Sequence, residues 1–247
     1  MLGRRTLFAV TFIGVLLLGG FAYLIGDAGV FVFLGPCVVF FFLMGLRSVL
    51  KDEKVARGDT LMSEGRFSQA SALLEGEARG FQLNARAMCS LGVCRLNLWQ
   101  LERAVEALDK ARLQQPLSNP REPELGERAQ LHLALALVLV GNWTAGRDWA
   151  LQLAPQQRWP GLGPLIFAAV AARDRNWKAV RTQLSNCQRN ELSPPLRALA
   201  QVLDAWSAEQ LNEPRQTIDR VALYAEGGPE QLQKKWPELA EFVERAA

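Results

Sequence analysis

The chain has 247 residues, 49% apolar and 21% charged, which is enough for one large domain or two small ones. A formal net charge of +3 leaves no strongly cationic footprint of the kind nucleic acid requires. Four cysteines are too few for a disulfide framework at this length.

The apolar residues are unevenly placed. From Thr6 to Leu46 the only charged residue is Asp27, whereas from Arg47 onward charges recur every few residues. Removing Arg4 and Arg5 from the 28 basic residues and Asp27 from the 25 acidic ones leaves 26 against 24 for the remainder, close to balance. The step near Arg47 predicts a domain boundary.

The first elements expected are two membrane spans. Leu7–Ile25 and Ala28–Leu46 are each 19 uncharged residues, long enough for a roughly 30 Å hydrocarbon core. Each holds twelve Leu, Ile, Val or Phe residues, so insertion is favourable. Pro36 is an internal breaker, tolerable in lipid where neighbouring groups satisfy the freed carbonyl. Only Gly26 and Asp27 separate the spans, which predicts a tight transmembrane hairpin over residues 1–50. Arg4 and Arg5 precede it, Arg47, Lys51, Lys54 and Arg57 follow it, and its turn carries no basic residue. The positive-inside rule then puts both termini and the following domain in the cytoplasm, with the chain integral to a membrane of the bacterial inner type. The competing reading is a cleaved signal peptide, since Arg4-Arg5 before an apolar run resembles one. Against it, the run is long and no clear small-x-small site precedes Asp27.

Next in the chain comes a repeat. Leu91-Gly92, Leu101, Ala104, Leu108, Ala111 and Pro116 combine small residues for a close helix crossing, large ones to fill it and a proline to stop the second helix. Thirty-four residues earlier, Gly58, Phe67, Ala70 and Leu74 fit the same roles. Phe67, Leu101, Trp143, Trp177 and Leu211 mark successive turns at intervals of 34, 42, 34 and 34, and the proline-rich stretch Leu117–Glu124 accounts for the long one as a loop insertion. This pattern resembles the tetratricopeptide repeat (TPR), a helix pair of 34 residues. It is sharpest in the second pair. Lys54 and Arg57 stand where apolar residues are expected, Gly146 stands for the usual alanine, and Pro214 does so in the last pair. The resemblance implies an all-α fold: the hairpin, then a TPR-like α-solenoid over residues 51–224.

Leu131–Val140 is apolar on all sides, too short for a span, and predicts a helix covered on both flanks in the middle of the stack. Residues 225–247 close the chain as a capping helix, with Trp236, Leu239, Phe242 and Val243 at helical spacing among charges.

No catalytic, cofactor-binding or metal-binding residues stand out. His132 lies within the apolar helix without partners nearby in sequence, Cys89 and Cys94 fall on different helix faces, and no phosphate-binding glycine loop or nucleophile elbow is present. Cys89, Cys94 and Cys187 read as free thiols. In proteins of the resembled family the first helix of each pair lines a groove that takes a peptide or helix. Here those positions are Arg86, Val93 and Asn97, then Leu131, Leu135 and Val138, then Leu165, then Leu199, Leu203 and Trp206. The same residues also suit plain inter-repeat core. Val55 and Asp59 replace the basic and asparagine residues with which chaperone-binding members hold a carboxylate. The expected function is a membrane-anchored scaffold or adaptor for a protein or peptide partner, without cofactor or nucleic acid. The alternative is a structural subunit of a larger transport or secretion complex, joined to other membrane proteins through its hairpin.

Overall fold

The computed structural model describes residues 39, 43, 53–78, 84–114, 123–153, 159–214, 218–224 and 228–246. It comprises two compact units, Met1–Ala56 and Arg57–Ala247. Within the first, Val39 and Leu43 are helical and exposed. Otherwise the expected spans Leu7–Ile25 and Ala28–Leu46 lie outside the described residues. Among the described residues no helix is long and apolar enough to cross a membrane.

The second unit is all-α among its described residues. Its helices are α1 (57–63, the end of a helical run from 53), α2 (Phe67–Ala78), α3 (Ala85–Asn97), α4 (Leu101–Gln114), α5 (Pro123–Val140) and α6 (Trp143–Leu153). There follow α7 (Leu162–Arg173), α8 (Trp177–Ser185), a 3-10 turn (Arg189–Glu191), α9 (Pro194–Gln210), α10 (Arg220–Tyr224), α11 (Gly228–Lys235) and α12 (Pro237–Arg245). From α2 to α9 each helix packs on its neighbours in sequence. In addition α3, α5, α7 and α9 pack on one another in succession, whereas α4, α6 and α8 form no comparable layer among the described residues.

One turn recurs through this stack. Gly65, Trp99, Gly141, Arg175 and Asn212 all have positive φ, between 56° and 111°. In each, the amide of that residue donates to the carbonyl three positions back, and the next amide donates five back. The pairs are Gly65 to Met62 and Arg66 to Leu61, Trp99 to Leu96 and Gln100 to Arg95, Gly141 to Val138 and Asn142 to Leu137, Arg175 to Ala172 and Asn176 to Ala171, and Asn212 to Glu209 and Glu213 to Ala208. This is the Schellman motif, which satisfies the last carbonyls of one helix while reversing the chain. Phe67, Leu101, Trp143 and Trp177 each open the next helix two residues later. The fifth turn is displaced from expectation. Pro214, not Leu211, is the residue two beyond the positive-φ position, because α9 extends to Gln210. A shift of three residues is close to one helical turn, so the apolar face of α9 is kept in phase.

Close helix crossings explain the small residues. A Cβ on Gly92 would lie 2.5 Å from Leu108 Cγ, and one on Gly58 would lie 2.8 Å from Leu74 Cδ2. In the third pair the glycine has moved to the second helix: a Cβ on Gly146 would lie 2.6 Å from both the Ala134 carbonyl oxygen and Val138 Cγ2. Ala134 stands 42 residues after Gly92 and Gly146 stands 42 after Ala104, so one helix supplies alanine and the other glycine in both pairs. Gly146 therefore preserves the crossing by exchange.

The insertion is shorter than expected at its end, since Pro123 and Glu124 already form the first turn of α5, where proline lacks only a donor that would be unpaired anyway. The rest of that loop lies outside the described residues. Along α5 every side chain from Leu131 to Leu139 except Leu137 is buried, as expected of a mid-stack helix. The C-terminal segment is two helices instead of one. Trp236 takes φ −145° and ψ 70° ahead of Pro237, which disfavours helical geometry in the residue before it. Trp236, Leu239, Phe242 and Val243 are all buried.

Candidate protein-interaction face

The ten residues expected to line a groove divide sharply. Arg86 is exposed, with its guanidinium 2.7 Å from Asp59 Oδ2, and Ser90 Oγ donates to Asp59 Oδ1 at 2.7 Å, so that α1 is tied to α3. Val93, Asn97, Leu131, Leu135, Val138, Leu165, Leu199, Leu203 and Trp206 are all buried. The structure does bring them together, on the mutually packing layer α3, α5, α7 and α9. As placed, they fill the space between helices and offer no side chain to an outside partner.

Contacts between early and late parts of the chain close this layer. Asn97 Nδ2 donates to the Val93 carbonyl at 2.8 Å, while its Oδ1 accepts from Ser193 Oγ just ahead of α9. The Trp99 indole is buried at the α3–α4 turn against Gly228: a Cβ there would lie 3.1 Å from Trp99 Nε1 and 2.5 Å from the Leu223 carbonyl oxygen. Lys235 Nζ lies 2.5 Å from Glu102 Oε1, and this bond first of all holds the Glu102 carboxyl below its usual range. Arg175 pairs with Glu238 at 2.6 Å, and Arg245 with Glu209 at 3.6 Å. Comparison with protein-family models, with curated proteins and with solved structures finds no match for this chain.

Arg173, at the end of α7, is the node of this closure. Its Nη2 donates to the carbonyls of Val138 (3.3 Å), Leu139 (3.1 Å) and Lys235 (3.1 Å), the negative ends of α5 and α11. Its Cζ stands 3.9 Å from the centroid of the Trp236 ring and 5.8 Å from that of Trp143. Burial pushes its pKa down to about 10, opposed by Glu238, so the guanidinium stays charged at neutral pH. Beside it an aromatic cluster is centred on Trp206, whose ring lies 4.7 Å from Trp177, 6.1 Å from Trp236 and 6.0 Å from Phe242. A buried carboxylate, Asp204, bridges Arg181 and Arg189 (2.8 Å to the latter) and pins α9 to α8 and the 3-10 turn.

Of the residues gathered here, spacing in the sequence points to Asn97, Trp206 and, as part of the cap, Trp236, but not to Trp99, Arg173 or Ser193. The carbonyls that Arg173 holds lie 34 to 62 residues away and leave no spacing to read.

The groups with chemical potential are held in quiet states. His132 is buried with Nδ1 2.7 Å from the Arg128 carbonyl oxygen, an acceptor only, so Nδ1 carries the hydrogen. Burial, then the Arg128 charge, pushes its pKa down to about 4. Burial raises the Cys89 thiol to about 11 and the Cys94 thiol to about 12, leaving almost no thiolate at neutral pH. Among the described residues no group of three or more His, Cys, Asp or Glu side chains is gathered for a metal ion.

Proposed function

We propose that this chain is a membrane-anchored scaffold or adaptor built of TPR-like helix pairs, which recruits a protein or peptide partner at the cytoplasmic face of a bacterial-type inner membrane. The observation that carries the repeat reading is the five-fold recurrence of one turn with the same pair of hydrogen bonds, joined to the layering of alternate helices α3, α5, α7 and α9. Arrays of this kind work by surface shape, each unit adding a strip to a continuous binding face. The anchor reading rests on the two uncharged 19-residue stretches and on their basic flanks. Fractionation tests it: detergent should release the protein and high salt should not, and deletion of Met1–Leu46 should give a soluble helical domain. Release by salt alone would end the proposal.

Burial of nine of the ten expected groove residues favours a second reading, a structural subunit of a larger membrane transport or secretion assembly joined through its hairpin. Blue-native electrophoresis with in-membrane crosslinking separates the two. A complex retained by the hairpin alone supports the subunit; one that requires the helix pairs supports the adaptor.

A further inference from the structure

We propose that α11 and α12 are a built-in ligand of the helix stack, a latch that undocks and melts as one unit while α2–α9 stay folded, and that a partner helix using the same surface must displace it. The regulatory half of this proposal rests on the protein-binding reading above; the conformational half does not.

The register of the contacts is the first argument. Lys235 meets Glu102 beside the Trp99 turn, the Lys235 carbonyl accepts from Arg173 together with Leu139 beside the Gly141 turn, Glu238 meets Arg175 in the next turn, and Arg245 meets Glu209 beside the Asn212 turn. Lys235, Glu238 and Arg245 thus meet Glu102, Arg175 and Glu209, in the same order along the segment and along the stack. That is how an extended or helical ligand lies along a repeat array, and here the ligand is the chain's own C-terminal segment.

The chemistry of the seam is the second. Its apolar side, Trp236, Leu239, Phe242 and Val243, supplies adhesion, yet each ion pair that sets its register has at least one half-exposed partner and is individually weak. Three buried donors at the seam, Trp99 Nε1, Trp236 Nε1 and Arg173 Nε, have no hydrogen-bond partner, and water would satisfy each one on undocking. The helices themselves are 8 and 9 residues long, well below the length at which an isolated helix persists, so the segment melts once it leaves the stack. By contrast α5 runs 18 residues with every side chain from Leu131 to Leu139 except Leu137 buried.

Hydrogen exchange with mass-spectrometric readout on the full chain in detergent tests the latch. Amides of 228–246 should exchange through a local opening, distinctly ahead of α5 and α7. Lys235→Glu should accelerate exchange of 228–246 by about a further fivefold while leaving α5, α7 and α9 unchanged. Adding Glu102→Lys to that variant should restore the original rate. A labelled peptide spanning 228–246 should bind the Lys235→Glu chain more tightly than the unaltered one. Exchange of 228–246 in step with α5, acceleration of every helix together, or no binding of the peptide to the opened chain would each overturn the proposal. If the latch opens as described but crosslinking finds no partner on the helix pairs, the adaptor reading falls and the conformational device stands.

Discussion

His132 makes the stability of the helical unit depend on pH in a window set by burial. Its imidazole is enclosed in α5, edge-on to Trp159 at 6.5 Å, with Nδ1–H donated to the Arg128 carbonyl. The charged form is disfavoured first by burial and then by the Arg128 guanidinium, which lowers the pKa from 6.5 to about 4. Between those two values the unfolded chain binds a proton that the folded chain refuses. Stability is therefore complete above about pH 6.5 and falls as the pH drops toward 4, below which this group adds no further loss. At about 1.4 kcal/mol per pH unit across that interval, the loss is about 3 kcal/mol, a sizeable part of a typical folding free energy. His132→Leu keeps most of the volume against Trp159 and removes the titration. Urea unfolding of the full chain followed by far-UV circular dichroism, at pH 7.5, 6, 5 and 4, gives the difference between the two proteins and cancels the carboxylates common to both. The variant should lose about 3 kcal/mol less than the parent over this range. Parallel curves for the two would refute the argument, since they would mean that the ring is hydrated or reaches a compensating acid when charged.

Two further expectations test packing and reactivity. Gly92→Ala forces a methyl to within 2.5 Å of Leu108 Cγ and 3.2 Å of the Leu108 amide nitrogen, and should destabilise by about 1–3 kcal/mol in chemical denaturation. Gly76→Ala, in the last turn of α2 with open space at its Cβ position, should stabilise by up to about 0.5 kcal/mol in the same assay; loss of stability at Gly76 or none at Gly92 would disprove the crossing geometry. Cys89 and Cys94, with thiols near 11 and 12, should resist iodoacetamide at pH 8 until the chain is denatured, while the half-exposed Cys187 reacts first; mass spectrometry of labelled peptides reads the order.

The recurring helix–turn–helix spacing was legible because it is written in local constraints. Gly92 with Leu108 and Gly58 with Leu74 are pairs within a single helix hairpin, and a 34-residue shift superimposes them. The third pair looks degenerate only when each position is compared separately: Gly146 sits against the Ala134 carbonyl and Val138 as tightly as Gly92 sits against Leu108. The fifth turn was misplaced by three residues for a related reason. Trp99, Arg175 and Asn212 hold left-handed backbone without being glycine, so the residue type that usually marks such a turn is missing at three of the five. What every turn shares is a hydrogen-bond pattern that composition does not display.

The candidate face was legible in position but not in state. Apolar residues at the first-helix positions of a helix pair are needed both by an open groove and by a packed interior, and the choice between them depends on what covers the layer. Here the cover includes Ser193 on Asn97, Gly228 on Trp99 and Trp236 on Trp206, contacts that join residues separated by 30 to well over 100 positions. No periodicity records such separations. The polar residues that do the closing are also ordinary in isolation: Lys235, Glu238 and Arg245 look like the solvated face of a terminal helix until the turns bearing Glu102, Arg175 and Glu209 are brought beside them. A terminal helix in a repeat protein is needed to cover the last apolar face, and buried Trp236, Leu239, Phe242 and Val243 supply the apolar side for it. The ordered series of charged contacts exceeds what capping requires, and this excess is the reason to treat the C-terminal helices as a ligand and not only as a lid.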